Sequence, residues 1–274
     1  MATFLNSTPQ SINRPEIIYL TPPMQVSMGD AWFEIASPEH FWMIRRFDVT
    51  CALAGDIITT SKRIAEIGCG NGALQAQIES YFGVEVDGFD LNEYALKLSV
   101  AKRSPRYCYN ILERREDLRD KYNLIFLFDI VEHIDDQYNF LDAVLHHLAP
   151  GGHVIINVPA LPWFFSIYDQ AVGHLRRYTI SMLLQLAREQ NLVPKKVSYW
   201  GLPIVPLLLI RKLILTMRKQ TNSEVLNQGF RPPTPLWNKL LGILAKFEPL
   251  PQCLLGSSAF IVFQKSASNN EKKE

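Results

Sequence analysis

The chain has 274 residues, is 47% hydrophobic and carries 28 Lys and Arg against 27 Asp and Glu, for a net charge of +1. That length and apolar content suit one enlarged α/β domain or one domain with a small appendage, and so even a charge balance gives no reason to expect a nucleic-acid partner. Four cysteines, Cys51, Cys69, Cys108 and Cys253, stand apart with no C-x-x-C pair, which speaks against a zinc site or a disulfide framework, fits a reducing cytoplasmic location and gives no metal to expect.

Residues 1–37 are rich in Pro, Ser and Thr and show no firm period. Met1 to Gln10 lacks a basic start followed by an apolar core, so no secretory signal is expected. No apolar run is long enough to span a bilayer. Pro38 to Ala54 reads as a helix, with Ser37 as its cap, Pro38 in the first turn and Glu39 where the helix dipole favours an anion. Its apolar face combines Phe41, Trp42, Ile44, Phe47 and Leu53, with Arg45 and Arg46 between. Residues 1–60 are therefore expected to form an N-terminal segment and a helix that either packs on the sheet edge or acts as a lid, with His40 or an arginine reaching inward.

Ile64 to Ile67 reads as a short buried strand, broken by Gly68, Gly70 and Gly72, after which Ala73 to Tyr81 is helical in character. Glycines are needed where a strand turns sharply into a helix and where backbone must approach a ligand. The turn can be parsed as the dinucleotide fingerprint G-x-G-x-x-A. With Glu66 included it becomes E-x-G-x-G-x-G, which resembles the first motif of the class I S-adenosylmethionine-dependent methyltransferases. A carboxylate at that strand end would welcome a cationic cofactor. Glycines alone are also compatible with a purely structural turn.

Val84 to Asp90 alternates like a strand and ends at Asp90, about twenty residues beyond the glycines, where an acidic side chain can hold two ribose hydroxyls. Both parsings expect this of Asp90 and the adjoining Leu91, and a helix-capping role is the alternative. Glu93 to Lys102 is the next helix. Arg106 to Ile111 is a plausible third strand, with Asn110 and Ile111 at the end where adenine would lie; a surface turn at Asn110, or Asp117 in its place, competes for that reading. Tyr122 to Asp129 is continuously apolar, as a central parallel strand covered on both faces should be. It delivers Asp129, Ile130, Glu132 and His133 to the carboxyl edge of the sheet, where open α/β sheets bind ligands. Asp135 or Asp136 can cap a helix from Tyr138 to Leu148, Pro150-Gly151-Gly152 ends it, and His153 to Val158 is a fifth strand.

The ordered set Glu66-Ile67-Gly68-Cys69-Gly70-Asn71-Gly72, Asp90, Val131-Glu132-His133-Ile134 and Leu148-Ala149-Pro150-Gly151-Gly152 resembles a class I methyltransferase core of the type found in the ubiquinone-biosynthesis O-methyltransferases. It covers roughly residues 60 to 160. The chain departs from the pattern at Asn123, where an acidic residue commonly opens the fourth strand. The resemblance implies an α/β, Rossmann-like, doubly wound seven-stranded sheet, mostly parallel with an antiparallel last strand. Val193 to Trp200 and Ser257 to Gln264 supply the last two strands. It also implies S-adenosylmethionine as cofactor, over Glu66, Gly68, Gly70 and Gly72, with its ribose on Asp90 and Leu91, its adenine near Asn110 and Ile111, and its sulfonium near Asp129 and Ile130. The expected organisation is a core at 61–200, a helical insertion at 201–256, the last core strand at 257–265 and a disordered tail at 266–274. A nicotinamide oxidoreductase and a non-catalytic protein that keeps the fold are the rival readings.

Tyr168 to Thr179 follows the fifth strand and precedes an amphipathic helix, Ile180 to Gln190, capped by Thr179. Its D-x-x-x-G-H-x-R-R-Y order resembles one in a subgroup of bacterial methyltransferases of uncertain substrate. Methyl transfer needs in-line positioning and exclusion of water. An oxygen acceptor also needs a base, for which histidine is the natural side chain. His174 is the expected base, His133 the second choice, and Asp169 the residue that orients it. Arg176 or Arg177 is expected to hold an anionic group of the acceptor, with Tyr168 and Tyr178 beside them. The alternative is a salt-bridge network that only fixes the loop. Residues 206–219 form a basic amphipathic stretch, with Arg211 and Arg218, and Lys212 and Lys219, at two-turn spacing. It suits either peripheral contact with the inner face of a membrane and a lipid-linked acceptor, or burial against the helically spaced Trp237, Leu240, Leu241, Ile243, Leu244 and Phe247.

Overall fold

A computed structural model describes residues 15–26, 40–217 and 235–267. Eight strands form one sheet: β1 (Ile17–Tyr19), β2 (Ile64–Ile67), β3 (Asp87–Asp90), β4 (Arg106–Cys108), β5 (Tyr122–Phe128), β6 (Leu148–Pro159), β7 (Leu192–Trp200) and β8 (Ser258–Lys265). Their order is β1-β4-β3-β2-β5-β6-β8-β7, parallel from β1 to β6, with β8 running antiparallel to both its neighbours. The expected Rossmann-like sheet with a reversed last strand is therefore present. One strand is added to it: β1 extends the edge beyond β4, within a stretch that shows no period in sequence.

The helices are α1 (Phe41–Thr60), α2 (Ala73–Phe82), α3 (Glu93–Lys97), α4 (Gln137–His147), α5 (Ile167–Ala171), α6 (Ile180–Glu189), α7 (Val205–Met217) and α8 (Pro235–Lys246). The continuous apolarity of β5 has a simple origin. Leu124, Phe126 and Phe128 join the core under α1 and α2, with Val49, Leu53, Leu74 and Ile78. Ile125 and Leu127 join the opposite core under α4 and α6, with Phe140, Val144, Leu183 and Leu186. A strand buried on both faces cannot alternate.

Local caps set several boundaries. The Asn92 side chain accepts from the Ala95 amide, Asp136 from Asn139, and Thr179 from Met182. For α1 the cap is His40, whose Nδ1 accepts from the Trp42 amide at 3.2 Å; the proposed capping residues Ser37, Pro38 and Glu39 lie outside the described residues. Helix α3 stops at Lys97, well before Lys102. The Glu79 carboxylate takes up the amides of Lys102, Arg103 and Ser104, and the Val100 amide goes to the Asn71 carbonyl. These long-range acceptors outcompete the next helical turn.

The chain order reverses between β2 and β5. Neighbouring strands there send their following loops to opposite sides, which opens a crevice at the carboxyl edge of the sheet. The glycine turn leaves β2 at one lip of that crevice and Asp129 leaves β5 at the other.

Candidate active site

The crevice holds a cavity of about 250 Å³. Its floor is the glycine turn. Gly68, Gly70 and Gly72 all have left-handed backbone, with φ of +75°, +54° and +70°. At Gly68 a β-carbon would lie 2.5 Å from Ile130 Cδ1, so the turn needs both the conformation and the bare backbone. The amides of Gly68 and Cys69 bond to the Phe89 carbonyl, and that of Gly70 to Asp90 Oδ2 at 2.8 Å. Helix α2 begins at Gly72 without a side-chain cap, so its first turn still presents polar backbone toward a ligand.

Glu66 ends β2 beneath this turn at 3% exposure, and its Oε2 has no hydrogen-bond partner. Burial, reinforced by Asp90 and Asp129 and opposed by Arg46, pushes its carboxyl up to about 8. Across the crevice Asp129 also has left-handed backbone, φ +53°. Its Oδ1 accepts from Asn157 Nδ2 at 2.9 Å and its Oδ2 from Arg46 Nη1 at 2.6 Å. Arg46 comes from α1, buried, with its guanidinium 5.2 Å from the Phe128 ring centre.

The far wall is the segment after β6. Asp169, fully buried, is its hub. Oδ1 accepts from Arg177 Nε at 2.7 Å and faces His174 Nδ1 at 3.2 Å, while Oδ2 accepts from the Ser166 amide and hydroxyl. Burial would raise its carboxyl, but the His174 and Arg177 hydrogen bonds prevail and hold it at about 2. His174 lines the cavity, and its Nε2, the ring nitrogen not directed at Asp169, lies 3.8 Å from Glu132 Oε1. Glu132 has no exposure, neither of its carboxylate oxygens has a hydrogen-bond partner, and burial together with Asp129 raises it well above the usual carboxylate range. Burial and the neighbouring His174 lower His133 to about 4. Glu132, His133 and His174 bring one potential ligand atom each within 4.8 Å of one another, the described group with the spacing to share a metal ion.

Of the residues singled out in sequence, Glu66, Gly68, Gly70, Asp129, Tyr168, His174 and Arg177 line the cavity. Gly72, Ile130, His133 and Asp169 stand directly behind that lining. Asp90, Leu91, Asn110 and Ile111 lie further along the same edge, at the ends of β3 and β4. There the Asp90 carboxylate already accepts from the Gly70 and Asn92 amides, one on each oxygen. Asn110 caps the short turn at Ile111–Glu113 through the Leu112 amide, and Leu91 accepts from the Met24 amide. Arg176 is not brought to the cavity; it pairs at 3.6 Å with the fully exposed Asp135. Tyr178 is buried behind the wall and donates to the Val131 carbonyl. The cavity also takes in His40, the cap of α1, and Arg46 from α1, as the lid reading of that helix allowed, together with Glu132 from the strand edge, and two residues that sequence reasoning did not place in the site, Trp42 from α1 and Arg211 from α7. For α1 the signal was an arginine pair within an apolar face. For Arg211 the basic stripe suggested a membrane surface or packing within the insertion, not the cavity.

Residues 42–200 match the family profile described as a methyltransferase domain. The chain is 26% identical over 139 residues to the ubiquinone biosynthesis O-methyltransferase of Shewanella sp. (strain ANA-3), covering 47% of this chain and 58% of that protein. It is 27% identical over 128 residues to phosphoethanolamine N-methyltransferase 2 of Caenorhabditis elegans, covering 44% of this chain and 27% of that one. Its fold is similar to the Haemonchus contortus phosphoethanolamine N-methyltransferase 2 solved with S-adenosyl-L-methionine, with a TM-score of 0.50 and 20% identity over 76% of this chain and 49% of that chain. The chain thus spans between a quarter and about three fifths of the length of these relatives.

Proposed function

The chain belongs to the methyltransferase-domain family, of the class I S-adenosylmethionine-dependent type, and from that premise we propose that it methylates a small-molecule acceptor, at oxygen, in the cavity between the glycine turn and the His174 loop. The observation that carries this reading is Glu66, a buried carboxylate with an unpartnered oxygen under a capless helix start. The two negative phosphates of a nicotinamide dinucleotide at that position would push the Glu66 carboxyl further toward its neutral form and bring it no counter-charge. A ligand that is cationic along its amino-acid arm gives the carboxylate a partner.

The residues present fit S-adenosylmethionine on charge. Arg46, reaching into the crevice from α1, suits its carboxylate; Glu66 and Asp129 suit its ammonium and sulfonium. A carboxylate has about four lone-pair positions. Asp90 already accepts from the Gly70 and Asn92 amides, one on each oxygen, and the Leu91 amide also acts on it, so a ribose hydroxyl would share the remaining acceptor capacity. When bound, the cofactor supplies an electrophilic methyl group carried on sulfur. The chain's own task is then to place an acceptor oxygen, keep water out and receive a proton. With Nδ1 directed at Asp169, His174 presents Nε2 as the proton acceptor. Ile204, and Leu208 and Arg211 of α7, line the cavity from the insertion at 201–256, which is the acceptor-binding unit in this reading.

A finer reading makes the acceptor lipid-linked. Support comes from the exposed apolar side chains Leu209, Ile210 and Leu213 on α7, Ile243 and Leu244 on α8, and Phe247 just after it. No helix among the described residues is long and apolar enough to cross a membrane. Flotation with vesicles containing anionic phospholipid tests this; protein that stays at the bottom of the gradient removes the lipid-linked acceptor.

Thermal unfolding with S-adenosylmethionine, S-adenosylhomocysteine and NAD tests the main reading. The first two should stabilise the protein, by about 2.7 kcal/mol at a hundredfold excess over Kd. Stabilisation by NAD alone would overturn it.

A further inference from the structure

We infer that Arg211 is an anion clamp for the methyl acceptor: its guanidinium, laid on the Tyr168 ring in the cavity wall, receives a carboxylate or phosphate oxygen of the molecule to be methylated. This rests on the methyltransferase reading of the cavity and deepens it to a substrate class.

The argument begins with the three arginines that line the cavity. Arg46 is paired with Asp129 at 2.6 Å and Arg177 with Asp169 at 2.7 Å. Arg211 has no carboxylate partner among the described residues. Its contact is with the face of Tyr168, the ring centre 4.0 Å from Cζ. A cation–π contact orients a guanidinium but leaves its hydrogen-bonding edge unused. Burial lowers the affinity of Arg211 for its proton, Arg177 adds to that, and the pull of Tyr168 and Asp169 in the other direction does not reverse it. Arg211 is half-buried in the cavity wall, and a guanidinium so placed with no paired carboxylate is where an arriving anion finds a partner.

The counter-charge is not supplied from inside the wall. Asp169 is saturated by Arg177, His174 and Ser166. Glu132 is influenced by Asp129, Arg177 and Asp169, and favours its neutral form. Nor does the cofactor's carboxylate need Arg211, because Arg46 stands on the glycine-turn side of the same cavity. Arg211 instead shares the wall with His174. Its helix is pinned to the segment below by Arg211 on Tyr168 and by Lys212 Nζ donating to the Trp163 carbonyl at 2.5 Å. An acceptor whose anionic group sits at Arg211 therefore has its nucleophile within the cavity that His174 also lines.

The test uses the full chain saturated with S-adenosylhomocysteine and titrates benzoate, phenyl phosphate and the uncharged benzamide by calorimetry. At least one anion should bind the wild type clearly tighter than benzamide, and which one does so distinguishes a carboxylate from a phosphate. Arg211→Gln should weaken that anion at least about tenfold, Arg211→Lys by less, and neither should change benzamide. S-adenosylhomocysteine affinity should stay unaltered in both variants. Without ligand, Arg211→Gln should melt close to the wild type, since the half-buried Arg211 makes no ion pair among the described residues that the substitution would break. Equal binding of anions and benzamide to the wild type, or unchanged anion binding by Arg211→Gln, would overturn the assignment. So would a loss of S-adenosylhomocysteine affinity in Arg211→Gln, which would make the bound anion the cofactor's own. If the wild type does not bind S-adenosylhomocysteine at all, the methyltransferase reading itself fails first.

Discussion

The strand side of the cavity and its helix side are built by different means. On the strand side, Gly68, Glu66 and Asp129 sit at the ends of β2 and β5, and their positions follow from paired neighbours in a central sheet. On the helix side, His174, Tyr168 and Arg211 come from a loop, a helix of five residues and a helix delivered by the insertion between β7 and β8. One buried carboxylate, Asp169, holds much of that side together. If the strand side holds the cofactor and the helix side the acceptor, as proposed, such a fold can keep the first while the second varies. The first is fixed by strand register, the second by side-chain ion pairs and packing that need not disturb the sheet.

The sharpest way to break this comparison is Asp169→Ala. It leaves Arg177 buried without a counter-charge and His174 without its orienting partner. A loss of about 3 kcal/mol or more in stability is expected, with turnover reduced at least as far as by removing His174. If the two sides are independently built, S-adenosylhomocysteine affinity measured below the lowered melting temperature should remain near wild type. A parallel loss of cofactor affinity would mean that the acceptor wall also shapes the cofactor side. Next in size is His174→Ala, expected to cut turnover by about 10²- to 10⁴-fold and to leave both melting temperature and cofactor affinity in place. Wild-type turnover would remove His174 as the base.

The two sides were also unequally legible in the sequence. Ile64 to Ile67, the glycines and the apolar run of β5 state their structure locally, because three closely spaced turn residues and unbroken apolarity admit few arrangements. The expected caps at Asp136 and Thr179 formed for the same reason. Arg211 could not be read this way. Its two-turn spacing from Arg218 describes a stripe on a helix, and only the packing of α7 over Tyr168 turns one member inward. Arg176 and Arg177 show the same limit within two adjacent residues, since sequence gave no means to tell the buried one from the exposed one. The edge strand β1 has no burial pattern to detect: Ile18 and Tyr19 are 44% and 51% exposed, and pairing with β4 alone defines it.

The strand side yields a pH prediction. Because the fold holds Glu66 at about 8, against 4.5 for the free carboxyl, the protonated form is the one it favours. Its contribution to stability is complete below 4.5 and is lost as the pH rises toward 8, at about 1.4 kcal/mol for each unit between. The stability of the unliganded wild type against denaturation should therefore fall over that window relative to Glu66→Gln, which has nothing to ionise. Saturating S-adenosylmethionine should flatten the difference, because a cation beside Glu66 favours the ionised form. A slope that persists with cofactor would place the cation elsewhere.

The smallest effect belongs to Arg176→Ala, and it isolates what the helix side depends on. Arg176 and Arg177 share a loop and a charge, but Arg177 is 5% exposed on Asp169 while Arg176 reaches a fully exposed Asp135 at 3.6 Å. A pair so hydrated gains little from its Coulomb attraction, and its loss should cost less than about 0.5 kcal/mol in stability and no more than roughly twofold in turnover. A large loss of turnover with intact folding would mean that Arg176 swings inward to meet the acceptor, so that the anion contact assigned to Arg211 would be shared between the loop and α7.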